Sequence, residues 1–140
     1  MSVTLPEARE RVYQRWVDNV PTALTDAWTF ENEDFDEPAE DTSWARVSVR
    51  DLGGGQNTLG PIGGRKFRRT AAVAIQVFTP RGSGMGTGDS LAHTVRGIFE
   101  GVSFSGLDFN NGVVSEIPPD DDDKFVQHNV VVSFDYDETK

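Results

Sequence analysis

Between Ala71 and Thr79 nearly every position is apolar. There Val73, Ile75 and Val77 point to one side of an extended strand, and Ala74, Gln76 and Phe78 to the other. Both sides are nearly apolar, so the pattern predicts a strand in the middle of a sheet. Pro80 ends it, having no N–H to give to a ladder. After the glycine-rich stretch Gly82 to Gly88, the residues Leu91, Val95, Ile98 and Val102 recur at helical spacing, flanked by Ala92 and Phe99. A central strand, a glycine loop and an amphipathic helix thus form the unit on which the rest of the chain depends.

Upstream, Thr4-Leu-Pro-Glu7 fits a capping box, with Pro6 tolerated because first-turn amides lack intrahelical partners. Leu5, Ala8, Val12 and Trp16 then share a face widened by Tyr13, Val17 and Val20, while Glu10, Arg11, Gln14, Arg15 and Asp18 cover the opposite side. Pro21 closes this helix. Ala27 to Phe30 has strand composition. Glu31 to Thr42 holds Pro38 and many carboxylates, which predicts an exposed connection. Trp44 to Asp51 sets Ala45, Val47 and Val49 against Trp44, Arg46, Ser48 and Arg50, a strand with one wet face.

Leu52 to Lys66 contains six glycines and a proline among fifteen residues. Such a stretch sustains no regular element for long, and so lengthy a connection in a small domain is a binding loop or a disordered one. Lying between two strand signals, it predicts a long β-hairpin whose tip extends from the body. Further on, Phe104 to Ile117 alternates around a turn signal at Phe109-Asn-Asn-Gly112, and Pro118 to Lys124 is a break. Val126, His128, Val130, Val132, Phe134 and Tyr136 then line one side of a last strand, completing a terminal hairpin. The order α-β-β-β-α-β-β predicts one α+β domain over residues 1–140: about five strands in a mixed, largely antiparallel sheet with two helices packed on it.

Composition narrows the chemistry. With no cysteine, the chain has neither disulfides nor thiolate metal ligands, which fits synthesis in a reducing cytoplasm. No signal pattern or membrane-length apolar run is present, so no membrane association is expected. A formal net charge of -10 disfavours nucleic-acid binding by the protein as a whole. That charge is uneven: Glu31 to Asp41 and Asp120 to Asp123 are acidic, whereas Arg65, Lys66, Arg68 and Arg69 form a basic island. Separated patches of opposite sign suit contacts between copies of one chain, although solvated loop charge explains them equally.

Catalytic signatures are not found. Gly82 to Gly88 lacks both the P-loop lysine and the dinucleotide-binding spacing, so it reads as a crossover with Thr87 or Asp89 capping the helix. His93 and His128 stand in no ligand spacing and read as structural. The four aspartates lack the EF-hand arrangement, and no serine sits in a nucleophile elbow. No catalytic, cofactor-binding or metal-binding residue is therefore expected.

Arg68-Arg69 leading into Ala-Val-Ala-Ile-Gln-Val-Phe-Thr-Pro80, with Gly82, Gly84 to Gly86 and a helix bearing Leu91 and Ile98-Phe99, resembles the tail terminator (tail-completion) proteins of long-tailed bacteriophages and prophages. The likeness extends to the opening helix, to Trp44-Ala-Arg-Val-Ser-Val49, to Gln56-Asn-Thr-Leu-Gly60 and to Gln127-His-Asn-Val-Val-Val-Ser-Phe134, and so covers most of the chain. Glu31 to Asp41 and the tetra-aspartate depart from it. The resemblance implies a non-enzymatic virion protein, made in the bacterial cytoplasm and placed at the head-proximal end of the tail. It would form a ring, a hexamer, that stops tail-tube polymerisation and receives the head-tail connector, with DNA met only in passage. Gln56, Leu59, Ile62, Arg65, Lys66, Arg68 and Arg69 are the candidate contacts with tube or neighbouring subunit. The alternatives are a head-to-tail connector or neck protein, a tail-tube subunit, a small-ligand enzyme using Gly82 to Gly88, and a free-standing acidic interaction module.

Overall fold

A computed structural model of the chain describes residues 2–140. It contains α1 (Leu5–Asn19), a short 3-10 turn (Thr22–Leu24), β1 (Trp28–Phe30), β2 (Trp44–Gln56), β3 (Lys66–Pro80), α2 (Met85–Phe99), β4 (Ser103–Phe104), β5 (Leu107–Ile117) and β6 (Phe125–Thr139). The strands form one six-stranded sheet in the order β1-β2-β3-β6-β5-β4. Only β1 runs parallel to its neighbour; every other pair is antiparallel. The α+β architecture with two helices is as the alternation predicts, and the central strand is β3.

The sixth strand was hidden by a misleading turn signal. Asn110 and Asn111 stand against the single residue Ser133, because Phe109 pairs with Phe134 and Gly112 with Val132. This is a bulge within β5. Asn110 Nδ2 donates to Ser133 Oγ (3.3 Å) and Asp135 Oδ2 (3.2 Å), so it is satisfied across the ladder and closes no turn. The real turn is Ser105-Gly106, whose φ values of 49° and 82° are both positive, as a two-residue hairpin turn between antiparallel strands requires.

One core lies between the helices and a single side of the sheet. Ala8, Val12 and Trp16 of α1, and Leu91, Ala92, Val95, Ile98 and Phe99 of α2, pack on Val47, Val49, Val73, Ile75, Val77, Val130, Val132 and Phe134. Burial of each larger apolar side chain here contributes about 1.5–3 kcal/mol. The capping box forms as expected: Thr4 Oγ1 accepts from the Glu7 amide, and Glu7 Oε1 accepts from the Thr4 amide. Val17, expected on the packed face, is 47% exposed. Two arginines expected on the polar side instead tether the helix, Arg11 donating to Ser105 O (2.6 Å) and Arg15 to Ile98 O (2.9 Å). Long stems let these guanidiniums reach carbonyls that the helical wheel alone does not place.

The opposite side of the sheet is covered at one end only. Trp44, expected on a wet face, is 5% exposed and stacks on Phe78 at 4.1 Å between ring centroids. Phe35 from the acidic segment lies over it (5.4 Å), and Phe125 meets it edge-on. The Glu31–Thr42 connection is thereby pinned at its one aromatic residue. The rest of that side, including Arg46, Gln76, Ser115, Val113 and Val131, carries no helix.

Candidate functional site

The glycine-rich connection is shorter than the composition predicts, since pairing continues through Gly55↔Arg68 and Gln56↔Phe67 and leaves only residues 57–65 outside the strands. Strand pairing survives three glycines because the register shifts between Asp51 and Gly53, where Asp51 Oδ1 accepts from the Gly53 amide. Gly54 is the fixed point: its φ is +136°, and a Cβ there would stand 2.1 Å from Arg68 O. The tip is bound to itself. Asn57 N donates to Lys66 O (2.7 Å), Lys66 N to Thr58 Oγ1 (2.9 Å), and Gln56 Nε2 to Thr58 O (2.7 Å).

This arm is exposed throughout from Arg50 to Gly64. Leu59 and Ile62 at its tip are 96% and 88% exposed, the highest values among the exposed large hydrophobic residues. A single exposed aliphatic is ordinary, but two on one short tip, together with Pro61, make an apolar knob.

The basic island at the base of the arm is largely consumed within the chain. The end of β6 runs along β3 here, and its carboxylates face the arginines. Arg68 contacts Asp108 (3.2 Å) and Asp137 (3.3 Å), and Arg69 contacts Glu138 (3.2 Å). Burial opposes the charge on Arg68, but hydrogen bonds to Asp108 and Asp137 outweigh it and hold the guanidinium pKa above its usual value. Arg65 lies over the Phe67 ring and donates to Lys140 O. Lys66 is exposed, its backbone amide taken by Thr58. Of the seven expected contact residues, Gln56, Leu59, Ile62 and Lys66 therefore present side chains outward, whereas Arg68 and Arg69 brace the arm.

The two outer edges of the sheet differ. Past the end of β1, Val49 N donates to Glu31 Oε1 and Val49 O accepts from Arg9, so side chains close the β2 edge there. On the other side, β4 pairs only with Leu107 and Asp108, and among the described residues no strand covers Gly112 to Ile117. An apolar hollow of about 460 Å³ lies on α1, lined by Leu5, Tyr13, Val17 and Phe30 with Arg9 and Glu10 as its charged lining residues.

The glycine loop before α2 also differs from expectation. The helix starts at Met85 with Gly84 as N-cap and no side-chain cap, so neither Thr87 nor Asp89 serves that role. Asp89 lies a turn inside the helix and is engaged elsewhere, with Oδ1 3.1 Å from His128 Nε2. His128 is fully buried, while His93 is exposed beside Arg96. Glu116 stands opposite His128 in the β5–β6 ladder. This grouping draws on three elements with no short spacing, so the sequence offered no signal for it. The four aspartates form a turn whose carbonyls accept from Arg81, at 2.7 Å for Asp120 and 3.1 Å for Asp121.

No family model matches the chain, and no curated protein matches it. Among solved structures, one protein known only by a serial designation aligns over 91% of this chain and 94% of its own, at 16% identity and a TM-score of 0.57. Likeness at that identity concerns the fold alone.

Proposed function

We propose that the protein is a non-enzymatic structural subunit of the tail-terminator kind, assembling as a closed ring on the end of a phage tail tube. The observation that carries this reading is the arm: a hydrogen-bonded hairpin with Leu59 and Ile62 almost fully exposed at its tip. A ring needs two dissimilar, complementary surfaces on each copy. The knob and the hollow beside Tyr13 and Phe30 supply such a pair, apolar against apolar. The resemblance in the central strand and loop supplies the identity of the tube as partner, and with it the hexamer and the head connector.

The test is solution mass across protein concentration, with and without the tail-tube protein, followed by negative-stain imaging. Discrete rings, or a monomer that becomes a ring when tube ends are added, are the expected outcome. A Leu59→Ser/Ile62→Ser variant should keep its melting temperature within about 3 °C, since both side chains are exposed, and lose ring formation. A protein that remains monomeric in the presence of tube ends would overturn the proposal. Glu100 takes the Gly112 amide (2.6 Å), but no described strand pairs with the outer edge of Val113–Ile117, which favours one second reading, a tube subunit that adds strand to strand without limit. Light scattering separates the two, because a terminator stops at one ring.

A further inference from the structure

Three side chains able to ligate a metal converge at the start of α2: Asp89 from the helix, Glu116 from β5 and His128 from β6. Their ligand atoms all lie within 4.8 Å of one another. We infer that they form a site for one divalent ion of the zinc class, held by His128 Nε2 and one carboxylate oxygen each from Asp89 and Glu116. This inference is independent of the ring reading.

The histidine is set in place beforehand. Its ring is fully buried and seated against α2 at Gly88, where a Cβ would stand 2.3 Å from Cε1 and 2.6 Å from Nδ1. Only glycine leaves that seat open, so the direction of Nε2 toward the carboxylates is fixed by packing. Nδ1 is buried with no hydrogen-bond partner. Most buried polar side-chain atoms have a partner; this histidine engages just the nitrogen that faces Asp89. With Nε2–H donating to Asp89, Nδ1 is an unpaired acceptor. When an ion takes Nε2, the proton moves to Nδ1, and one unpaired atom replaces another. The cost that burial normally sets against such a rearrangement is already present.

The carboxylates can adjust where the ring cannot. The Asp89 side chain is 58% exposed and Glu116 is exposed, so both can close to the separation of about 3–3.5 Å that metal–ligand bonds of about 2.0–2.2 Å require. Solvent on their open side supplies the remaining ligands. The net charge of -10 draws cations to the surface. An imidazole nitrogen in the set favours zinc-class ions over magnesium or calcium, which take oxygen ligands.

Titration of the full chain with Zn²⁺ at pH 7.5, by calorimetry and by imidazole ¹⁵N NMR, tests this. The expected result is one equivalent bound with no net proton release, because the imidazole proton moves from Nε2 to Nδ1, and a shift of the His128 Nε2 resonance while His93 stays in place. Mg²⁺ at equal concentration should leave both imidazoles unmoved. Asp89→Asn and Glu116→Gln should each weaken binding at least about tenfold, in line with loss of one ligand. Asp89→Asn keeps an oxygen that can accept from His128 Nε2–H, and Glu116 is exposed, so metal-free melts of the variants should stay close to the parent, and the His128 resonance of the unsubstituted chain reads the site without any variant. Absence of binding at millimolar Zn²⁺ would overturn the inference. So would undiminished affinity in the double variant, or Zn²⁺ perturbing His93 and the Asp120–Asp123 turn in place of His128.

Discussion

Gly54 and Gly55 are neighbours with the same side chain and opposite tolerance. Gly54 combines a φ of +136° with a virtual Cβ 2.1 Å from Arg68 O and 2.8 Å from Arg69 Cα, all backbone atoms that cannot swing away. At Gly55 nothing lies within 4 Å and the backbone is unexceptional. Gly54→Ala should therefore cost about 2 kcal/mol or more, from left-sided backbone strain plus separation of β2 from β3, whereas Gly55→Ala should be tolerated. Hydrogen exchange at the Phe67 to Thr70 amides checks this, since damage confined to the arm opens those amides before the core melts. Composition alone marked both residues as loop glycines, because a clash with a carbonyl of the facing strand is a fact of register. The same limit applies to His128: its place on the inner side of β6 was legible in the alternation, but its seat on Gly88 and its carboxylate neighbours required the packed helix.

At the level of elements, periodicity located both helices and the main strands, and the opening helix is the case where local sequence decides most. Glu7 accepts from the side chain and backbone amide of Thr4, and these hydrogen bonds hold its carboxyl below the usual value of 4.5. A lowered folded-state pKa means that the contribution is complete above the unfolded value and is lost as pH falls through the folded one. Stability should thus decline through this cap only below about pH 4.5, and Glu7→Gln should flatten that part of the profile. Thr4→Ala removes the acceptor for the first-turn amide and should cost about 1 kcal/mol at neutral pH, measured by denaturant melts. Where sequence reading failed among the elements, a long-range partner had replaced a local signal. Asn110 found Ser133 and Asp135 instead of closing a turn, and Trp44 found Phe35 and Phe78 instead of water. Ser133, Asp135 and Phe78 lie more than twenty residues away in sequence, and Phe35 sits in an irregular acidic segment with no period of its own.

For the whole molecule, the proposed ring raises the question of what would draw copies together when each carries a net charge of -10. The separated acidic and basic segments of the sequence suggested ionic docking between copies. In the folded chain two of the four basic residues, Arg68 and Arg69, are paired with Asp108, Asp137 and Glu138, which leaves less of the island to attract a neighbour. In the proposed ring, apolar contact through Leu59 and Ile62 would have to work against mutual repulsion of the acidic bodies. Salt screens that repulsion, with the Debye length falling from about 10 Å at 0.1 M to about 3 Å at 1 M, and leaves apolar burial intact. Assembly driven by the arm tip should accordingly strengthen as NaCl is raised across this range, read as a rising ring fraction in sedimentation velocity. Substitution of Arg68 by Gln should act chiefly through loosening of the arm base, and so should lower assembly without reversing its salt dependence. If assembly instead weakens steadily with salt, the docking force is ionic. The arginines would then have to exchange their internal carboxylates for those of a neighbour, making the arm base a switch between intrachain and interchain pairing instead of a fixed brace.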